Sequence, residues 1–144
     1  MKIKVKYHNP NIEKLKFVDD AKSNWIDLRA AENVSLKAGE SRKISLGVSM
    51  RLPDGYEAHI VPRSSTFDNW WLLQPNSPGI IDNTYSGNND IWKFNALALR
   101  DTEIKEGDRI CQFRLFPIMG HVDLDDVNYL EGPDRGGFGS TGTR

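Results

Sequence analysis

Apolar and polar residues alternate along several short stretches of the chain. Residues 3–7 alternate between apolar side chains and lysines, which predicts a half-buried strand with a charged outer face. The same period over residues 44–52 predicts a second strand, which ends at the turn signature Pro53-Asp54-Gly55. Further strand-like runs cover Tyr56–Val61, Ile91–Leu99 and Arg109–Ile118. Many short strands separated by turns predict a single all-β domain, a sandwich or jelly roll.

A helix is predicted at one place only, over Val122–Leu130, where Pro133 would end it. Trp70 and Trp71 are neighbours, so on a strand they would face opposite sides, and at least one should lie outside a monomer core. We therefore expect a subunit contact or a pocket rim there. Trp92 and Phe94 would share one face, and we expect both in the core.

The length and charge of the chain narrow the possible functions. Its 144 residues make one ordinary domain. Nineteen Lys and Arg against twenty Asp and Glu give a formal charge of −1, so the chain lacks the basic excess typical of stable nucleic-acid binding. An anionic ligand would therefore need a local cluster of cations. Without a membrane-length apolar run or a signal-peptide core, we expect a cytoplasmic protein with no membrane partner.

Neither a zinc site nor a serine nucleophile is predicted. His8, His59 and His121 lack the spacing of zinc motifs, and the single cysteine, Cys111, cannot build a thiolate site or an intrachain disulfide. Cys111 lies within a predicted strand, so we expect a buried small apolar residue. Ser64-Ser65 is not part of a nucleophile elbow.

The last thirteen residues differ from the rest, because five of them are glycine and Phe138 is their only large apolar residue. We expect a β domain over residues 1–131 and a flexible arm over 132–144. The arm matches G-x-G-x-x-G, but the chain ends two residues later, so the helix that a dinucleotide site requires is absent. Its backbone N–H groups, with Arg135, Ser140 and Thr141, could wrap a phosphate.

Three internal segments place charged and hydroxyl groups where chemistry could occur. Arg63 follows a strand directly and could bind phosphate with Ser64 and Ser65, although a solvated strand end has the same pattern. Asp82 follows two apolar residues and could orient a water, with Tyr85 closing over the same pocket, or it could merely cap a turn. Asp27, within an apolar segment, could be a buried acceptor or part of a magnesium site.

These segments, taken in order, resemble the five motifs of the trimeric dUTPases. The resemblance covers residues 24–142, and the segments between the motifs look most like the short enzymes of Gram-positive bacteria and their prophages. The third motif departs from the usual pattern, because an acid commonly follows its last glycine and this chain has Asn88-Asn89-Asp90 there. The matching segments are 27–30 (DLRA), 62–65 (PRSS), 79–87 (GIIDNTYSG), 107–112 (GDRICQ) and 135–142 (RGGFGSTG).

The resemblance implies a distorted jelly-roll β-barrel of the β-clip type, assembled as a homotrimer with a mobile C-terminal arm. It implies hydrolysis of dUTP to dUMP and pyrophosphate with Mg²⁺. Asp82 would orient the attacking water, Tyr85 would exclude a 2′-hydroxyl, and Asp27 would act on the metal through water. The remaining implied contacts to uracil, phosphates or the closed arm are Arg63, Ser64, Ser65, Asn76, Gly79, Ile81, Gln112, Arg135, Phe138, Gly139, Ser140 and Thr141.

Two other functions stay open. A dCTP deaminase of the same fold would need an acid–base glutamate in the pocket. A binding module would use the nucleotide only to switch a protein interaction, and the sequence does not identify any regulatory protein partner.

Overall fold

The computed structural model describes residues 1–18, 22–139 and 141–144, and antiparallel strands dominate it. In this part of the chain one short helix, α1 (Thr66–Trp70), accompanies the strands. The strands are β1 (Lys4–Tyr7), β2 (Ile26–Arg29), β3 (Val34–Leu36), β4 (Ser41–Ser45), β5 (Val48–Arg51), β6 (Tyr56–Pro62), β7 (Leu72–Leu73), β8 (Gly79–Ile81), β9 (Lys93–Ala98), β10 (Thr102–Ile104) and β11 (Arg109–Pro117).

The strands pair into four small sheets. The largest has the order β2–β11–β6–β8, a second has the order β4–β9–β7, and β1–β5 and β3–β10 form two-stranded pairs. Every pairing is antiparallel, and neighbouring strands of a sheet are mostly far apart in sequence. The prediction of an all-β, distorted jelly-roll fold is confirmed.

One continuous apolar core joins these sheets. Trp92 and Phe94 are fully buried, as predicted, and the Trp92 ring meets the edge of Phe113 at 5.1 Å between centroids. Cys111 is also fully buried among apolar residues, as predicted for a small apolar side chain.

The predicted strand over residues 44–52 is in fact two strands that belong to different sheets. β4 pairs with β9, whereas β5 pairs with β1, and the chain changes sheet at Leu46-Gly47. Gly47 has φ +67°, and a Cβ there would lie 2.6 Å from the Cβ of Ala31. The apolar alternation continues through this point because both strands face the same core.

The predicted helix over Val122–Leu130 is wrong. Residues 118–131 contain no regular structure, and Leu124 and Leu130 are 93% and 78% exposed. A short apolar-periodic segment is stable as a helix only where its face is buried, and this segment is exposed, with no described residue covering it. Among the described residues, no helix is long and apolar enough to cross a membrane.

We placed Trp70 and Trp71 on a strand, but they lie at the end of α1. Trp70 is half-buried against the core. Trp71 ends the helix in a left-handed conformation (φ 53°), and its exposed ring packs on Phe67 and under Arg100. A role for these rings in a subunit contact stays a prediction.

Candidate active site

Asp82 is exposed at the end of β8, as its position after two apolar residues predicted. β8 is an edge strand that pairs only with β6. The backbone N–H of Tyr85 donates to the carbonyl of Asp82 at 3.0 Å, which makes a tight turn. Asn83 Nδ2 connects this turn to the first residue of β6 and to the turn before it, because it donates to the carbonyls of Tyr56 and Pro53 at 3.2 and 3.1 Å. The backbone that carries Asp82 is therefore held in place, and its exposed carboxylate is open to solvent.

A crevice of about 270 Å³ lies beside Asp82, and we call it the Asp82 crevice. Two of its residues, Lys43 and Lys93, bring positive charge close to Asp82 from the exposed faces of β4 and β9. The sequence did not predict these lysines as site residues, because lysines that alternate along a strand usually form only a solvent-exposed face. The crevice is lined by Lys43, Ile80, Ile81, Asp82, Tyr85, Ile91, Lys93 and Asn95.

A second cluster forms around Asp27, on β2. One carboxylate oxygen lies 3.1 Å from Nε of Arg63, and the other lies 3.1 Å from Nη1 of Arg109. Arg63 Nη1 also donates to the carbonyl of Arg109 at 3.2 Å. Three segments far apart in sequence thus meet in one ionic network, which we call the Asp27 cluster (Asp27, Arg63, Arg109). Arg109 was not among the predicted site residues, although it belongs to the fourth motif.

Strand register places Gln112 in the same neighbourhood. Gln112 is the cross-strand partner of Asp27, and its Nε2 donates to the carbonyl of Pro62 at 3.1 Å. The buried Thr66 holds the loop that follows β6, since its Oγ1 donates to the carbonyl of Ile110 at 2.9 Å and accepts from the backbone N–H of Arg63 at 2.8 Å. Ser64, which is exposed, and Ser65 lie within this loop.

The thiol of Cys111 lies beneath the Asp27 cluster but is not available for chemistry. Burial raises the pKa of Cys111 well above its ordinary value, the nearby Asp27 carboxylate raises it further, and Arg63 lowers it by a smaller amount. A thiol with a raised pKa stays protonated at neutral pH and is a poor nucleophile.

The Asp82 crevice and the Asp27 cluster lie at opposite ends of β6. Ala58 pairs with Ile81, so Asp82 lies next to the start of β6, whereas Arg63 follows its last residue. Six residues of extended chain separate these points, or roughly 20 Å at about 3.3 Å per residue. One chain therefore does not bring Asp82 and Arg63 into a single site.

Of the remaining predicted residues that the structure describes, Ile81 lines the Asp82 crevice, whereas the others line neither that crevice nor the Asp27 cluster. Asn76 is exposed in the loop before β8, while Gly79 and Ile81 belong to β8 itself. The described residues of the arm do not line the Asp82 crevice, and Phe138 is fully exposed. Arg135, Gly139 and Thr141 are exposed as well, and Ser140 lies outside the described residues.

The sequence model of the dUTPase family matches residues 19–142, a range that contains the crevice, the Asp27 cluster and most of the arm. The chain belongs to the dUTPase family. A "SPbeta prophage-derived deoxyuridine 5'-triphosphate nucleotidohydrolase" of Bacillus subtilis is 54% identical over the full length of both chains. A deoxyuridine 5'-triphosphate nucleotidohydrolase of Anaplasma marginale is 38% identical over 126 residues, which are 85% of this chain and 84% of that one.

Solved dUTPase structures share the fold at low sequence identity. A variant of the Staphylococcus bacteriophage 80alpha dUTPase with dUpNHpp superposes with a TM-score of 0.80 at 22% identity and covers 99% of each chain. A mutant of the dUTPase from phage phi11 of S. aureus, described with a structural Mg(II) ion, has a TM-score of 0.77 at 20% identity, and the match covers 92% of this chain and 100% of that one.

This dUTPase chain offers only a sparse donor set to a metal ion. Among the described residues, no group of three His, Cys, Asp or Glu side chains could hold one. Both oxygens of Asp27 are already paired with arginines. Mg²⁺ often keeps several waters and binds through one or two carboxylates and substrate phosphates, so the residues fit a hydrated ion held mainly by a phosphate chain.

Proposed function

We propose that this protein hydrolyses dUTP to dUMP and pyrophosphate. The observation that carries the proposal is the exposed Asp82, held beside Tyr85 at the rim of a crevice in a chain of the dUTPase family. The relatives named above as deoxyuridine 5'-triphosphate nucleotidohydrolases support the same reaction.

Asp82 is the proposed catalytic residue. Its carboxylate orients a water toward the α-phosphorus and accepts a proton from it as the water attacks. Hydrolysis of a phosphoanhydride depends mainly on positioning and on stabilisation of developing charge. The fixed turn formed by Asn83 and Tyr85 supports this role, because it holds the backbone from which the Asp82 side chain extends toward the crevice.

The nucleoside is proposed to lie against β8 and Tyr85. β8 has one unpaired edge, so the backbone between Asn76 and Tyr85, including Gly79 and Ile81, can offer N–H and carbonyl groups to the uracil edge. Asn76 would hold a water there. The Tyr85 ring packs on deoxyribose and leaves no room for a 2′-hydroxyl.

The phosphates are proposed to bind cationic and polar side chains. Arg63, Ser64, Ser65 and Gln112 contact them from one side. Mg²⁺, bound mainly by phosphate oxygens with Asp27 reaching it through a water, would neutralise charge on the triphosphate. The arm, with Arg135, Phe138, Gly139, Ser140 and Thr141, closes over the substrate and excludes water.

A homotrimer is part of the proposal, because the Asp82 crevice and the Asp27 cluster must come from different chains. The outer face of the four-stranded sheet supports such an assembly. Phe116 stacks there on His59 at 4.1 Å between ring centroids, and Ile80 is 48% exposed. Large apolar areas on a surface commonly mark protein contacts.

A pyrophosphate-release assay tests the function. We expect release from dUTP and little from dTTP, dCTP or UTP. Asp82→Asn should lower turnover by about two to four orders of magnitude while the nucleotide still binds, because the amide cannot accept the proton. Turnover near that of the unchanged protein would refute the role of Asp82.

The same assay separates hydrolysis from deamination. No glutamate lines the Asp82 crevice among the described residues, so the pocket lacks the acid–base group that a dCTP deaminase requires. Ammonia release from dCTP would contradict the proposal.

We also propose that the enzyme works in the cytoplasm, since its substrate is a free nucleotide.

A further inference from the structure

A closed loop follows Tyr85 and contains the departure from the usual third motif. Asp90 Oδ2 accepts the backbone N–H of Gly87 at 2.7 Å, and the backbone N–H of Asp90 donates to the carbonyl of Gly87 at 3.1 Å. These two hydrogen bonds join the ends of the loop. Asn88 and Asn89, between them, are exposed.

Gly87 leaves the space that this closure needs. A Cβ on Gly87 would lie 2.7 Å from Oδ2 of Asp90, so the carboxylate occupies the place of a side chain. Any larger residue at position 87 would push the carboxylate away, while the flexible end of Asp90 could yield without disturbing the fold.

The loop ends next to the backbone carbonyl of Ile91, which binds the hydroxyl of Tyr85. Tyr85 Oη donates to the carbonyl of Ile91 at 3.0 Å, and Ile91 directly follows Asp90. On its other side Ile91 adjoins the fully buried Trp92, whose backbone N–H donates to the carbonyl of Val48 at 2.9 Å. The Ile91 carbonyl is therefore positioned from two sides, by the core through Trp92 and by the closed loop through Asp90.

We propose that Asp90 is a positioning residue for sugar specificity, which acts through Tyr85. By closing the loop on Gly87, Asp90 fixes the Ile91 carbonyl that the Tyr85 hydroxyl binds, and so keeps the ring where it excludes a 2′-hydroxyl. This inference rests on the proposed function.

The main test compares kcat/KM for dUTP and for UTP in purified full-length variants. Asp90→Ala should lower the preference for dUTP by about 5- to 10-fold, which corresponds to the loss of one hydrogen bond. Asp90→Asn should keep the preference, because its Oδ1 can accept the same N–H. Gly87→Ala, which displaces the carboxylate, should resemble Asp90→Ala. Asn88→Ala is the matched control in the same loop and should change nothing.

Tyr85→Phe removes only the hydroxyl and should lower the preference by a similar factor. Combined with Asp90→Ala it should add little, because both changes break the same connection. A preference that stays as in the unchanged protein in Asp90→Ala or in Tyr85→Phe would overturn the proposal. So would an equal loss of activity on both nucleotides, since that result indicates a general structural role.

Backbone hydrogen exchange, measured without nucleotide, tests whether Asp90 closes the loop on Gly87 and does not depend on enzyme activity. Peptides that cover residues 83–91 should exchange faster in Asp90→Ala and Gly87→Ala but not in Asp90→Asn. Equal exchange in all variants would overturn the proposal even if some variants lost activity. If the unchanged protein did not hydrolyse dUTP, the proposed function would fail, and the exchange result would still decide whether Asp90 closes the loop.

Discussion

Asp27 shows how one side chain can serve two structural purposes. Its carboxylate, about one-third exposed, pairs with Arg63 and Arg109, and its charge also raises the pKa of Cys111 beneath it. A partly buried carboxylate that lost its arginines would be left with an uncompensated charge. The charges of the Asp27 cluster therefore act on the pKa of a buried core thiol, because Arg109 and Cys111 are close neighbours on β11.

At the same scale we predict that Cys111 is protected in the folded protein. Iodoacetamide at pH 8 should label it rapidly in urea and hardly at all in the native state, because only the unfolded thiol ionises readily. The unfolded thiol loses its proton from about pH 8.5, while the folded thiol keeps it, so the free energy of unfolding should fall as pH rises through that range. Equal labelling rates in both states would contradict the assignment.

The pH effect can be isolated with Cys111→Ala. Urea unfolding between pH 7 and pH 10 should show a smaller alkaline loss of stability in this variant than in the unchanged protein. Parallel pH profiles would mean that other groups cause the loss.

At the scale of elements, the change of sheet at Gly47 is the main irregularity of the barrel. It lets β4 and β5 contribute to two sheets while their apolar residues face one core. The glycine is required twice, once for its positive φ and once for the close approach of Ala31.

We predict that Gly47→Ala destabilises the fold more than Gly39→Ala. Both glycines have positive φ, but a Cβ on Gly39 would meet nothing within 4 Å. Gly39→Ala should cost about 1–2 kcal/mol through backbone strain alone, and Gly47→Ala about 1–3 kcal/mol more because of the contact with Ala31. Urea unfolding measures both, and equal losses would show that the close approach is relieved at no cost.

For the whole molecule, the distance between the Asp82 crevice and the Asp27 cluster matters most. In the proposed homotrimer, neighbouring chains bring these two ends of β6 together into one site. Closed assemblies with head-to-tail contacts achieve this, because each chain then presents its crevice to one neighbour and its cationic residues to the other.

We predict that inactive variants complement each other. Asp82→Asn and Arg63→Gln should each lack activity alone, but chains unfolded, mixed in equal amounts and refolded should recover activity at about a quarter of their sites, as random assembly requires. Asp82→Asn mixed with Tyr85→Ala is the control and should recover none, because both changes affect the same crevice. Failure of the first mixture despite formation of mixed assemblies would place the whole site in one chain.

Much of this structure could be predicted from local sequence patterns. Period-two alternation located β1, strand-like runs between turn signatures located β6, β9 and β11, and the apolar pair before Asp82 correctly placed it at a strand end. The failures have a common cause. The exposed segment over residues 122–130 has a helical pattern without a surface to cover it, and Trp71 lies at a helix end that only tertiary contacts define.

The ionic partners of Asp27 and the lysines beside Asp82 depend on contacts between distant strands. Local patterns report burial and turns, but they do not report which strand lies beside which. The order of the motifs indicated the family. Only the strand register of the structure then showed which site residues are neighbours, such as Gln112 opposite Asp27.

The length of β6 has a consequence for how such a protein can evolve. Because the length of β6 separates Asp82 from Arg63, an insertion or deletion within it would change the distance between the Asp82 crevice and the Asp27 cluster. Substitutions along β6 can be compensated by neighbouring residues, whereas a change in its length would require a matching change in β11, with which it pairs along its whole length. We therefore expect length differences among related chains to fall in the loops and in the arm, while β6 keeps a constant number of residues.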